Sequence, residues 1–117
     1  MGHVFVNAYL EGTMSGEEIR MLVDTGATFT AIPEELAERL GIPRLKPRRT
    51  KLADSREVDV EVGVVDSIRI NGREIPTLVL IMGDEPLLGV ETLETLGLKV
   101  NPETGELEPT RSFVLRV

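Results

Sequence analysis

The chain has 117 residues, 28% of them charged and 41% hydrophobic, with a formal net charge of −7. That length suits one domain spanning 1–117 with a single modest core, and that charge disfavours any grip on a nucleic-acid backbone. The chain has no cysteine, which excludes disulfides, thiolate nucleophiles and thiolate metal sites, and its 3% aromatic content leaves Val, Leu and Ile to fill a β-rich core.

Val4 to Leu10 reads as a first strand, followed by a glycine-containing turn over Glu11 to Gly16 and a second apolar run, Ile19 to Val23, which delivers Asp24. Pro33 to Leu40 carries helix signals: Pro33 at the first position, Glu34 and Glu35 in the first turn, Leu36, Ala37 and Leu40 on one face, then Gly41 and Pro43 as stops. The run Pro43 to Lys51 holds Arg44, Lys46, Arg48, Arg49 and Lys51 and reads as a solvated basic connection. Val58, Val60, Val62 and Val64 alternate with Asp59, Glu61 and Gly63, the period of a strand with one buried face.

Ile68 to Ile70, Asn71-Gly72 and the residues from Glu74 onward predict a tight hairpin, because Asn-Gly accepts the positive φ angles of a type I′ turn. Leu78 to Met82 predicts a buried strand, and Val90 to Leu96 a second short helix stopped by Gly97. Val100 to Leu107 closes a hairpin around Asn101 to Gly105, and Phe113 to Val117 is a terminal strand candidate. A strand, a glycine turn, a short helix and a glycine stop occur at Met21 to Gly41 and again at Leu78 to Gly97, the echo of a local two-fold. No apolar run approaches the ~18 residues that span a bilayer, so the expectation is a soluble, cytoplasmic protein without a membrane partner.

The densest chemical signal is Leu22-Val23-Asp24-Thr25-Gly26-Ala27, an acid at the end of an apolar strand entering a turn of small residues. Gly26 brings its N–H close to the carboxylate, Thr25 offers a hydroxyl, and Ala27 leaves the approach open. Peptide hydrolysis by carboxylates alone needs two, one taking a proton from water and one holding a proton for the carbonyl oxygen. Asp-Thr-Gly occurs once, so a second chain in a symmetric dimer has to bring the other. Asp54, Asp59, Asp66 and Asp84 lack the following Thr-Gly or Ser-Gly, and His3, the sole histidine, lacks the partners of a metal site. No cofactor, metal or nucleotide motif is present.

These residues resemble the retropepsin-like aspartic proteases, dimeric relatives of the pepsin-type enzymes. The resemblance rests on Leu22 to Ala27 and on Leu87-Leu88-Gly89, which looks like the family's apolar-apolar-Gly motif leading into a helix, and it spans Val4 to Val117. It implies a mostly β, closed-barrel-like lobe with two short helices, one lobe per subunit of a homodimer, and an aspartic endopeptidase acting on extended peptides. Asp24 would be the catalytic carboxylate and Thr25 the residue bonded across the dimer axis. Gly26 and Ala27 would line the floor of the cleft, with Leu88 and Gly89 supporting it. A substrate-binding flap would lie at Leu52, Ala53, Asp54, Ser55 and Arg56, its tip at Asp54-Ser55.

Three departures stand out. No glycine occurs between Leu45 and Val62, whereas viral flap tips are glycine-rich; Thr28 and Val90 replace an acid and an arginine that pair in viral members; and the helix Pro33 to Leu40 looks more like that of prokaryotic cellular relatives. The glycine-free tip keeps a second reading open, a peptide-binding or dimerisation module of the same fold that cleaves little or nothing.

Overall fold

A computed structural model describes residues 3–113. The elements run β1 (Val4–Glu11), β2 (Gly16–Val23), β3 (Ala31–Ile32), α1 (Glu34–Leu40), β4 (Arg48–Lys51), β5 (Glu57–Ile70), β6 (Arg73–Ile81), β7 (Leu87–Leu88), α2 (Val90–Leu96), β8 (Leu98–Val100) and β9 (Leu107–Pro109). The 7-stranded sheet has the order β1-β2-β7-β3-β6-β5-β4, and β1 also pairs with β5. That extra pairing, Tyr9 with Arg69 through Glu11 with Ser67, closes the sheet into a ring with β4 hanging outside it on β5. The mostly β class with two short helices therefore holds.

Alternation decides which side chains enter the ring. Ala8 and Leu10 of β1, Ile68 and Ile70 of β5, and Val79 of β6 are buried against Met21, Ile32, Leu88 and the helix residues Leu36, Leu40, Leu93 and Leu96. Each large aliphatic side chain so buried contributes about 1.5–3 kcal/mol. The β1–β2 hairpin also seals α1. Thr13 and Met14 donate their N–H groups to the Gly41 and Leu40 carbonyls at 3.1 and 3.0 Å, so the tip satisfies helix-end acceptors. Gly41 itself stands at φ 72, the left-handed cap that ends helices.

Several sequence expectations need adjustment. Pro33 stands just outside α1 as its N-cap, its ψ of 154 being extended rather than helical, so the helix opens at Glu34. The valine strand does not stop near Val64 but continues through Ile70 across a register shift between Val65 and Ile68. Leu78 to Met82 is strand only as far as Ile81, and Leu78 is 55% exposed because β6 alternates, burying Val79 and Ile81. The basic run is only partly a connection: Arg48–Lys51 form β4, paired antiparallel with Val60 to Glu57. Asn71 at φ 52 and Gly72 at φ 78 make the expected two-residue turn between Ile70 and Arg73. Phe113 lies outside any strand, and the remainder of that candidate, 114–117, lies outside the described residues.

The echo in the sequence is a structural two-fold. β2 runs parallel to β7, β6 runs parallel to β3, and β3 meets β7 antiparallel at Ala31 and Leu87. Backbone bonds repeat across it: Leu22 N to Pro86 O at 3.0 Å matches Leu80 N to Thr30 O at 2.9 Å, and Asp24 N to Leu88 O at 3.0 Å matches Met82 N to Ile32 O at 2.9 Å. Met82 thus occupies in the second half the place that Asp24 holds in the first.

Candidate active site

Asp24 follows directly on β2, its N–H bonded to the Leu88 carbonyl of β7, so the strand pairing that builds the ring also fixes where the acid leaves it. The turn then folds onto its own side chain: Ala27 N donates to Asp24 O at 3.1 Å and Gly26 N donates to Asp24 Oδ1 at 3.0 Å. This is the local bond that Asp makes readily after a strand. At Gly26 an added Cβ would sit 3.3 Å from that carboxylate oxygen, a tight contact that the Asp24 side chain would have to yield to slightly. Gly26 is the sole side-chain hydrogen-bond partner of Asp24 among the described residues. Thr25 and Gly26 are exposed, and Asp24 and Ala27 half-exposed, so the carboxylate faces outward from the ring.

The second motif clamps this loop from behind. Leu88 is fully buried, and Gly89 caps α2 so closely that an added Cβ would stand 2.5 Å from the Phe29 carbonyl oxygen and 2.8 Å from Thr30 N. The first turn of α2 donates into the loop, Val90 N to Ala27 O and Glu91 N to Thr28 O, both at 2.9 Å. Free helix N–H groups and free loop carbonyls thereby satisfy each other. The Thr28 and Val90 positions are thus in backbone register through this pair of bonds, with no charges between them.

A buried hydroxyl pair completes the clamp. Thr30, 1% exposed, and Thr92, 3% exposed, lie with their Oγ1 atoms 2.6 Å apart, and Gly89 N donates to Thr30 Oγ1 at 3.0 Å. Thr77 Oγ1 lies 3.4 Å from Thr92 Oγ1. Sequence reasoning missed these threonines; a threonine three residues beyond the glycine turn was the only available cue, and nothing in spacing marked Thr92 as its partner.

The proposed flap residues Leu52, Ala53, Asp54, Ser55 and Arg56 form the loop between β4 and β5. Leu52 N donates to Arg56 O at 2.8 Å and Ser55 N to Leu52 O at 2.9 Å. Asp54 accepts from Arg56 N at 3.1 Å and from Arg56 Nε at 2.6 Å. Ser55 stands at φ 71, so a serine takes the left-handed place where a glycine would be unstrained. A groove of about 350 Å³ is lined by Phe29, which follows the Asp24 loop, by Arg48, Arg49 and Thr50 of β4, and by Val60, Leu78 and Leu80; Asp24 itself does not line it. None of the five flap residues lines it.

Electrostatic ties outside the loop are structural. Arg44 reaches Glu34 at 2.9 Å and Glu61 at 2.6 Å, and these carboxylates hold its guanidinium protonated far above the ordinary range. His3 lies 6.4 Å from the Phe5 ring, and among the described residues no cluster of His, Cys, Asp or Glu is arranged to hold a metal. No helix among them is long and apolar enough to cross a membrane.

A strand delivering Asp-Thr-Gly into a turn that a second apolar-Gly motif clamps defines an aspartic-protease lobe of the retropepsin-like class. Residues 10–95 match the family model described as "gag-polyprotein putative aspartyl protease". The fold aligns with a retropepsin-like aspartic protease from Rickettsia conorii at 30% identity and a TM-score of 0.66, covering 86% of this chain and 77% of that one. It also aligns with the EIAV protease complexed with the inhibitor HBY-793 at 22% identity and a TM-score of 0.63, covering 86% of this chain and 93% of that one, a likeness of fold. Comparison with curated proteins finds no match. The chain belongs to the retropepsin-like aspartic protease family.

Proposed function

We propose that residues 1–117 form one lobe of a homodimeric aspartic endopeptidase, in which Asp24 from each of two copies activates a water between them. The observation that carries this reading is Met82. The internal two-fold repeats the backbone hydrogen bond that positions Asp24, but the residue it positions in the second half, Met82, carries a thioether, which cannot exchange a proton. The chain's own symmetry therefore offers one carboxylate, and an isologous pair of chains offers two.

In the proposed reaction one carboxylate accepts a proton from water as the oxygen attacks the peptide carbonyl, while the protonated partner donates to the developing oxyanion. Collapse of the tetrahedral intermediate then passes a proton to the leaving nitrogen. Two carboxylates about 3 Å apart share a single proton, so the rate should peak at mildly acidic pH and fall on both sides. Gly26 N holds one oxygen of each acid in place, and Thr25, exposed and without a side-chain bond among the described residues, is the proposed contact across the axis. Leu52 to Arg56 would close over an extended peptide, pairing with it as an added strand. We place the enzyme in the cytoplasm and assign it no metal or cofactor.

A binding module without hydrolysis is favoured by one feature, the tie of Asp54 to Arg56 around Ser55, which stiffens the tip. Incubating the protein with unfolded casein, beside an Asp24→Asn variant, separates the readings. Cleavage by the wild type that vanishes in the variant supports the peptidase; no cleavage by the wild type across pH 3–8 and up to high protein concentration supports the module; and cleavage surviving in the variant refutes the role of Asp24.

A further inference from the structure

The large apolar side chains left exposed among the described residues are Phe5, Met14, Phe29, Leu45 and Leu78, at 39, 76, 46, 44 and 55%. Three of them, Phe29, Leu45 and Leu78, wall one groove, which Phe29 joins to the end of the Asp24 loop. An apolar patch gathered in a concavity marks a binding surface far better than scattered exposed residues do. The rim has a definite sign. Lys46, Arg48 and Arg49 border the same groove in a protein whose net charge is −7. Arg49 reaches Asp59 only at 3.4 Å, with both side chains well exposed. Arg48 reaches only the backbone oxygens of Lys46 and Pro47, at 3.4 and 3.5 Å. Lys46 makes no ion pair with a carboxylate among the described residues.

We propose that this groove selects peptide substrates in which a large apolar side chain is flanked by a carboxylate. The apolar side chain fills the space between Phe29 and Leu78, and the carboxylate meets Lys46 and Arg48. The inference rests on the peptidase reading for its use but not for its test, since binding is measured apart from hydrolysis. A chain of this negative charge repels acidic peptides at long range, so a basic rim confined to one groove sorts them to that groove. Each exposed ion pair is weak, and two or three of them together amount to roughly a 3- to 10-fold preference at low salt, shrinking as the Debye length falls.

The experiment titrates Asp24→Asn protein with fluorescein-labelled peptides of one sequence, Leu or Phe followed by Glu, Gln or Lys, and reads anisotropy at 20 mM and 500 mM salt. The Glu peptide is expected to bind 3- to 10-fold more tightly than the Gln peptide at low salt, the Lys peptide more weakly than either, and the differences to narrow at high salt. Lys46→Glu with Arg48→Glu, both at exposed positions, should invert the order. Equal affinities at low salt, an order unchanged by the double substitution, or no binding of any peptide at millimolar concentration would overturn the proposal. So would a single-stranded oligonucleotide that displaces the Glu peptide at a lower concentration than unlabelled Glu peptide does. If the wild type cleaves all three peptides equally, the peptidase reading stands and this inference fails. If Asp24→Asn binds in the expected order while the wild type cleaves nothing, the inference stands and the peptidase reading fails.

Discussion

Gly89→Ala tests the clamp behind Asp24 with a single methyl group. The backbone at Gly89, φ −89 and ψ 168, suits any residue, so the substitution carries no conformational strain of its own. Its Cβ would lie 2.5 Å from Phe29 O, roughly 1 Å inside the 3.4 Å at which ordinary contact begins, and what it meets is backbone rather than a yielding side chain. Relief requires α2 to withdraw from the Asp24 loop, which endangers the bonds of Gly89 N to Thr30 Oγ1, Val90 N to Ala27 O and Glu91 N to Thr28 O. Overpacking costs about 1–3 kcal/mol, and each hydrogen bond lost adds about 0.5–1.5 kcal/mol, so the loss should be about 3 kcal/mol or more. With a urea m-value of about 1.5 kcal/mol/M, the midpoint would fall by about 2 M. Gly83→Ala is the control: it stands at φ 83 in open space and should lose only about 1 kcal/mol from left-handed backbone. A Gly89→Ala midpoint within 0.3 M of the wild type would refute the clamp.

Thr30→Val keeps the shape of a fully buried side chain but strands the Gly89 N–H and leaves the Thr92 hydroxyl only its 3.4 Å contact with Thr77 Oγ1, so thermal or urea melts should show a loss of about 1–3 kcal/mol. A further Thr92→Val substitution should cost less than it does in the wild type, because the hydroxyl it removes has already lost its 2.6 Å partner; a strictly additive double variant would count against coupling. The Arg39 guanidinium, bonded to Glu17 at 2.6 and 3.1 Å, holds the Glu17 carboxyl below its ordinary value of 4.5. A depressed folded value means stability that is present above 4.5 and lost as pH falls through the lower folded value. Glu17→Gln should therefore lower the urea midpoint slightly at pH 6, and the gap from the wild type should narrow as the pH falls to 3; an equal gap at both would contradict the pairing. Ser55→Val places a β-branched residue at φ 71 and should destabilise the β4–β5 hairpin, read as faster amide exchange at Arg56, whereas Ser55→Gly should not.

What was legible in the sequence depended on period and on turn chemistry. Val4 to Leu10, the helix after Pro33 and the Asn71-Gly72 turn each combine a repeating apolar pattern with a residue that fixes the backbone, and all are present. β4 was hidden because Arg48-Arg49-Thr50-Lys51 has no apolar face: it lies outside the ring, paired through its backbone to β5. The full length of β5 was hidden because Asp66 and Ser67 look like a break, whereas the chain absorbs them in a register shift and stays paired. At the candidate site, Asp24-Thr25-Gly26 and Leu88-Gly89 are readable because each is contiguous. The groove is not, since Phe29, Leu45 and Leu78 are far apart in the chain and meet only after β6 is laid beside β5.

The internal two-fold explains how one short chain divides its labour. Its first half contributes the Asp24 loop; its second half contributes α2, whose opening N–H groups hold that loop's carbonyls, while Met82 stands where a second acid would otherwise emerge. The hydrogen bonds that position the Asp24 carboxylate thus lie within one chain, and on the dimeric reading proposed above only its reactivity would depend on association. Damage to Gly89 or Thr30 should consequently lower stability and activity together at every protein concentration. A substitution confined to the face that brings two Asp24 residues together should leave the isolated lobe's urea midpoint unchanged and make specific activity rise steeply with protein concentration, as mass action requires of a site assembled from two copies.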